Sequence, residues 1–306
     1  MCEMYQFIST QGTNYPVQQL CNVLGANRSS YYEYRNGKTY ASSSVELAEV
    51  KQVCELFSLH RRRYGSRRMA KALQQKGMGI GRFKVRRLMS DQSLKAIQPK
   101  SFVPKTTNSK HKLGYAPNVL TEVGFPSEPN EVYVGDITYL PTTYGQWLYL
   151  NVWIDLFSRS VVGWKVDTHM EESLVVDSLK QAVHKRSPAK GLIIHSDRGG
   201  QYAGAAFKEA LTKHHCIQSM SGADNPYDNA YAESFFSRFK AELLEKGTFE
   251  NIADATTEIF NYIEMYYNTH RLHSGLGYVS PAQYEAHYYR DVLPGNEAER
   301  NAFIEC

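Results

Sequence analysis

The apolar positions of this 306-residue chain change their period along its length. Val17, Leu20, Cys21 and Leu24 recur at threes and fours, which predicts one face of a helix. Gly25 stops that helix, and Asn27 or Ser29 can cap the next. The pattern is that of a helix-turn-helix, with a plain helical hairpin as the alternative. Residues 41–59 read as a further helix with Val45, Leu47, Val50, Val53, Cys54 and Phe57 as its apolar positions. Residues 64–97 repeat the theme. Tyr64 to Gly77 is a helix with Ser66 as N-cap and Gly77 as stop. Gly81 to Met89 is a second, with Phe83, Val85, Leu88 and Met89 on its apolar side and Arg82, Lys84, Arg86 and Arg87 on its polar side. Prolines at 99, 104, 117, 126 and 129 then forbid continued helix, so 98–130 reads as an extended, exposed linker.

From residue 131 the period shifts towards two. Glu131 to Leu140, Trp147 to Leu156 and Ser160 to Val166 are rich in Val, Ile, Tyr and Trp and predict three consecutive antiparallel strands. A helix over about 171–186 follows, then a buried strand from Gly191 to His195, a helix from Ala203 to Lys213 and a short strand near Ile217–Met220. A long helix over about 228–245 and a last one over about 252–268 complete the pattern. The class is α/β: a mixed sheet with helices on both faces, preceded by all-α units. The element order resembles a ribonuclease H-like fold.

Composition adds one decisive feature. The net charge is only +4, but residues 60–112 hold sixteen Lys and Arg against the single acid Asp91, a local +15. Residues 1–59 sum to −1 and residues 113–306 to −10. Such asymmetry predicts a nucleic-acid partner, the bland alternative being a solvated basic linker. A basic helix after a short turn suits major-groove or phosphate contact, which makes Arg67, Arg68, Arg82, Lys84, Arg86 and Arg87 candidate DNA ligands. The five cysteines show no paired spacing and read as free thiols of a reducing cytosol. No run reaches transmembrane length and no signal-like segment opens the chain, so a cytoplasmic protein without a membrane partner is expected.

The candidate chemistry lies in carboxylates. Asp197 ends a predicted strand and is followed by a Gly-Gly pair that lets the backbone bend close by. Glu233 stands on a helix whose apolar face is Ala232, Phe236, Phe239 and Leu243, and Asp136 lies upstream on the first strand. Three acids on separate elements can converge on two divalent cations, about 3.5–4 Å apart, for in-line attack on a phosphodiester. The alternative is three unrelated surface acids. Asp155 reads as a turn residue, Asp228 as the N-cap of the Glu233 helix, and Glu242 falls on the face opposite Glu233, nine residues on. His214-His215-Cys216 and His270-x-x-His273 lack a four-ligand zinc spacing. His195 shares a strand face with Asp197 and serves either substrate contact or packing. The same two roles are open to Tyr266, Tyr267, Asn268, Arg271 and His273.

These motifs carry a resemblance. Gly135-Asp-Ile-Thr-Tyr139, His195-Ser-Asp-Arg-Gly-Gly-Gln-Tyr202, Asp228-Asn-Ala-Tyr-Ala-Glu-Ser-Phe-Phe236, the run from Tyr266 to Tyr284 and the upstream Tyr64-Gly-Ser-Arg-Arg68 resemble the OrfB-type transposases of the IS-three family of bacterial insertion sequences. These are DDE transposases with a retroviral-integrase-like core, and the likeness spans roughly 14–285. It implies that Asp136, Asp197 and Glu233 are the catalytic triad, holding two Mg²⁺ or Mn²⁺ ions, and that Lys240 matches the family's basic residue near the scissile phosphate. Two helical turns put Lys240 on the face of Glu233; a solvated helix cation is the alternative.

The resemblance further implies binding to the element's terminal inverted repeats, 3′-end cleavage and strand transfer. It implies a copy-out, paste-in route through a circular intermediate, and a dimer or larger assembly on nucleoid DNA. A partner or fusion from an upstream reading frame also belongs to the family. Ser93 departs from the family pattern, standing where a glycine is common near the end of the second basic helix. A non-catalytic DNA-binding regulator of transposition, or a nuclease on the same fold that cuts without joining, are the competing readings. The expected organisation is 1–59 helical, 60–97 basic helix-turn-helix, 98–130 linker, 131–285 catalytic core and 286–306 tail.

Overall fold

The computed structural model describes residues 2–38, 44–99, 114–222, 230–245 and 247–292. It divides into two units, Met1–Lys95 and Ala96–Cys306.

The first unit is helical. Helices α1 (Cys2–Gln11), α2 (Val17–Val23) and α3 (Arg28–Arg35) close on Tyr5, Ile8, Cys21 and Tyr31, all buried. Gly25 adopts a positive φ of 64° at the stop of α2, where only glycine is unstrained. Asn27, not Ser29, caps α3, accepting from the Ser29 and Ser30 N–H groups at 2.9 and 3.2 Å. A second trio follows: α4 (Ser44–Leu59), α5 (Ser66–Gln75) and α6 (Arg82–Asp91) pack on one another. Val53, Leu56, Phe57, Met69, Leu73, Val85, Leu88 and Met89 are its buried side chains. Helix α4 therefore belongs with the basic helices, and a boundary at 59/60 would cut through their shared core. Gly65 rather than Ser66 occupies the N-cap of α5, and Gly77 ends that helix at φ 82°. Val45 and Leu47 are exposed, and so is Phe83, at 81%. Ser93 sits in the left-handed region at φ 55°, which explains why a glycine suits that position.

The second unit is built on one five-stranded sheet. Strands β1 (Val132–Pro141), β2 (Trp147–Asp155) and β3 (Val161–Asp167) form an antiparallel meander. Two further strands, β4 (Ile193–Ser196) and β5 (Ile217–Met220), run parallel to β1, giving the order β3-β2-β1-β4-β5. Helices cover both faces, as the near-continuous burial of the strands requires. On one face α8 (Glu172–Arg186), α9 (Gly200–Ala203) and α10 (Ala205–Lys213) meet Tyr133, Trp153, Val162 and Ile194. On the other, α11 (Ala230–Leu243), α12 (Ile252–Phe260) and a π-helical continuation (Asn261–Tyr267) meet Val132, Val134, Leu150 and Val166.

The sheet's edges are occupied. The Asn268 amide bonds both backbone groups of Val161 at 2.9 Å, blocking the start of β3, while Met220 and Ser219 of β5 bond the 117–119 segment, at whose end α7 (Leu120–Val123) begins. A helix missing from the sequence reading, α13 (Pro281–Val292), crosses the expected core–tail boundary at 285. It is tied to α8 by an Arg186–Glu285 ion pair and to the β2–β3 turn by Tyr284 and Tyr288 against Phe157. The linker's 100–113 portion and the Asp228 cap lie outside the described residues. No helix among the described residues is long and apolar enough to cross a membrane.

Candidate active site

Strand parity and parallel register bring two acids together. Val134 pairs with His195 across β1 and β4, so two residues further on Asp136 stands level with Asp197, just beyond the end of β4. Asp136 shares the parity of Val132 and Val134, whose side chains face the layer that contains α11. Its neighbour Gly135 faces the other way. A Cβ there would stand 2.3 Å from the Trp153 ring, so glycine is what lets that ring lie across β1.

Asp136 is strongly perturbed by its surroundings. Burial pushes its carboxyl up to about 8, and the charges of Asp197 and Glu233 push in the same direction. The Ile137 N–H, which donates to Oδ1 at 2.8 Å, and the Lys240 ammonium pull it back. Asp197 Oδ1 accepts from the Gly199 N–H at 3.0 Å, and a Cβ on Gly199 would crowd that same oxygen. Glu233 is exposed in the first turn of α11, where a carboxylate also complements the helix dipole. Phe235, Phe236 and Phe239 turn the opposite face of α11 into the core. Lys240 is half-buried on the Glu233 side; burial lowers its pKa, and Asp136 acts against that.

Behind the acids lies a polar network that the sequence reading missed. Asn151, fully buried on β2, donates to the Asp136 carbonyl at 3.0 Å and to the Tyr202 hydroxyl at 2.7 Å. The Ser178 hydroxyl donates to Asn151 Oδ1 at 2.5 Å and accepts from Trp153 Nε1 at 3.0 Å. Burial, and then the charges of Asp136 and Asp197, hold the Tyr202 phenol well above its usual range, so it stays protonated beside both acids. Tyr202 lies within the 195–202 motif, and Asn151 interrupts an otherwise apolar run from Trp147 to Ile154; either signal could have drawn notice.

Several sequence candidates sit elsewhere than expected. Arg271 is 2% exposed and locked to Glu242, with Nη2 at 2.7 Å from Oε1, so it is not a surface DNA contact. Glu242 also accepts from the Tyr262 hydroxyl at 2.9 Å, on the helix face away from Glu233. Tyr267 is buried edge-on against Phe235 and His273, which makes that group packing. His195 is fully buried, its Nδ1 at 2.9 Å from the Ser219 hydroxyl, and so faces β5 rather than substrate. Asp155 serves the turn, accepting from the N–H groups of Asn130, Phe157 and Ser158.

In the basic trio, Lys84 pairs with Glu49 and Arg87 with Glu46 of α4. Arg68 lies 5.9 Å from the Tyr64 ring centroid, while Arg67, Arg82 and Arg86 are exposed. Among the described residues, no three His, Cys, Asp or Glu side chains stand in position to hold a metal ion. The donor chemistry of the Asp136 site nonetheless suits a hard dication: oxygen donors only, mutually repelling, with one lysine as counter-charge.

The chain is 41% identical over 251 residues to the transposase of insertion sequence element IS904 of Lactococcus lactis, covering 82% of this chain and 97% of that one. It is 35% identical over 283 residues to transposase InsF of insertion sequence IS3A of Escherichia coli, covering 92% and 98%. The chain belongs to the IS3 family of insertion-sequence transposases. An IS600 31 kDa protein of Shigella sonnei is 36% identical over 274 residues, covering 89% of this chain and 99% of that protein.

Family models for the integrase core domain match residues 126–226 and 214–281 of the transposase, and one for an HTH-like domain matches 44–102. Asp136 and Asp197 thus fall in the first core match and Glu233 in the second, while the HTH-like match takes in α4, α5 and α6. Among solved structures, a chain of a simian T-cell lymphotropic virus intasome aligns with a TM-score of 0.46 at 16% identity over 80% of this chain and 77% of that one. The HTLV-2 integrase catalytic core in complex with magnesium aligns at 0.39 and 19% identity, over 52% and 98%.

Proposed function

We propose that this transposase cuts DNA at the ends of its insertion sequence to free 3′-hydroxyls and joins those hydroxyls to a second phosphodiester. Asp136, Asp197 and Glu233 would hold the two divalent ions, Mg²⁺ or Mn²⁺, that the reaction uses. When bound, such ions polarise the phosphoryl oxygens and favour the ionised attacking oxygen. One observation carries the reading: Asp136 feels both other acids, which arrive from a second strand end and from a helix.

The chain's own residues have distinct parts. Asp136, half-buried and with its carboxyl pushed up to about 8, would have to release that proton to serve as a ligand. Glu233, exposed on α11, has the freedom to approach. Lys240, beside them on the same helix face, is placed to meet the negative charge of a phosphate. Asn151 holds the backbone of Asp136 from behind and is itself fixed by the Tyr202 hydroxyl. The α4–α6 trio binds double-stranded DNA at the terminal repeats. Two ends must be held together for joining, so a dimer or larger assembly on DNA is expected.

A strand-transfer assay on terminal-repeat DNA with Asp197→Asn tests this. Removing a ligand that stabilises the transition state by several kcal/mol lowers joining by at least roughly a hundredfold. Undiminished joining by the variant would take Asp197 out of the mechanism.

A further inference from the structure

Helix α6 sorts its own cations. Val85, Leu88 and Met89 face inward, towards α4 and α5. At 100° per residue, Lys84 and Arg87 fall on one flank, and both reach carboxylates of α4: Lys84 that of Glu49, and Arg87 Nη2 that of Glu46 at 2.6 Å. Arg82 and Arg86 fall on the other flank, exposed, with no carboxylate partner among the described residues. Between the flanks stands Phe83, about 160° around from Val85 and 81% exposed. A large aromatic ring at that position adds nothing to the core of the trio, whose apolar seam is complete without it. The Arg82 guanidinium carbon lies 6.0 Å from the ring centroid.

The surroundings define what such a ring meets. Residues 60–112 carry +15, so the surface around it attracts a polyanion and repels a basic partner. Phe83 is the second residue of a ten-residue helix, and the early residues of a helix that enters the major groove are the ones that reach base edges. The apolar group on those edges is the 5-methyl of thymine.

We propose that Phe83 is a specificity determinant of the transposase. Its ring packs on a thymine methyl in the major groove of the DNA site while Arg82 and Arg86 engage that DNA, and Lys84 and Arg87 stay with α4. This rests on the reading that the α4–α6 trio binds DNA sequence-specifically.

The test begins with the full-length chain and a pool of random duplexes, from which it selects its site. Thymines of that site are then replaced one at a time by uracil, which removes only the methyl. For the wild type, one or two replacements weaken binding by about fourfold, the factor expected for one buried methyl. Phe83→Ala, at an exposed position and checked for an unchanged melting temperature, binds the selected site about fivefold or more weakly. It no longer responds to uracil at those positions, and its affinity for random DNA and its salt dependence are unchanged. Arg86→Ala lowers the salt slope by about one, whereas Lys84→Ala leaves it alone and lowers thermal stability instead. If a site is selected and Phe83→Ala keeps both the discrimination and the uracil response, this inference is overturned and the DNA-binding reading stands. If the wild type enriches no site at all, the DNA-binding reading fails and this inference with it.

Discussion

Asp136 shows how a single residue's environment sets its use. A carboxyl partly buried among apolar strands, with two acids close by, holds its proton far above the usual carboxylate range, up to about 8. The unfolded chain releases that proton near 4. Because the folded-state pKa is the higher one, the folded state binds the extra proton. The associated stability is complete below about pH 4 and is lost as pH rises towards about 8. Thermal melts without divalent metal should therefore lose stability across that window. Asp136→Asn, which has no proton to lose, should lack this component and melt higher than the wild type near pH 9. Added Mg²⁺ should stabilise the wild type more as pH rises, because ion and proton compete for one carboxylate. A pH-independent difference between wild type and variant would contradict the assignment. Asp136 was readable as a candidate from its motif. Its raised pKa was not, because it depends on which acids the fold sets beside it.

Helix α11 illustrates the element scale. Its period shows Glu233 and Glu242 on opposite faces, and so they are: one exposed, the other paired with Arg271 inside the protein. Arg271 was readable as a cation but not as a buried one, since its partner lies twenty-nine residues away. Removing only one member of a buried pair leaves an uncompensated charge. Arg271→Ala should cost about 3–5 kcal/mol in urea unfolding, and converting Glu242 and Arg271 together to apolar residues should recover much of that loss. A cost within experimental error would show the pair to be solvated. Strands β1 to β3 were legible to within a residue or two because alternating and β-branched runs have few other outcomes. Helix α13 was not, because its inward side relies on Tyr284, Tyr288 and Glu285, residues that carry no strong apolar period. Phe83 was assigned to the wrong face for a related reason: being apolar, it was grouped with Val85 although their spacing of two places them on opposite sides.

At the scale of the whole molecule, the acids of the proposed site and the basic helices belong to different units of the chain. The carboxylates lie in Ala96–Cys306, and the exposed arginines of α5 and α6 in Met1–Lys95. Binding and reaction should therefore separate experimentally. Chelating divalent metal with EDTA should abolish cutting and joining while leaving binding to terminal-repeat DNA, measured by anisotropy at constant ionic strength, within about twofold. Loss of binding on chelation would instead tie metal to DNA recognition.

Read alone, the chain of amino acids determined the class of fold, the order of its strands and of most of its helices, the basic segment and the three candidate acids. Each of these follows from local period, local composition or a short motif, and neighbouring residues suffice to specify them. Only the tertiary structure decided which charges are free to act. It paired Lys84, Arg87 and Arg271 with carboxylates, buried His195 and Tyr267, and set Asn151 and Tyr202 behind the acids. Those outcomes depend on contacts between segments far apart in the chain, where the free energy of a charged or polar group is set by its partner and its exposure to water and not by its own identity.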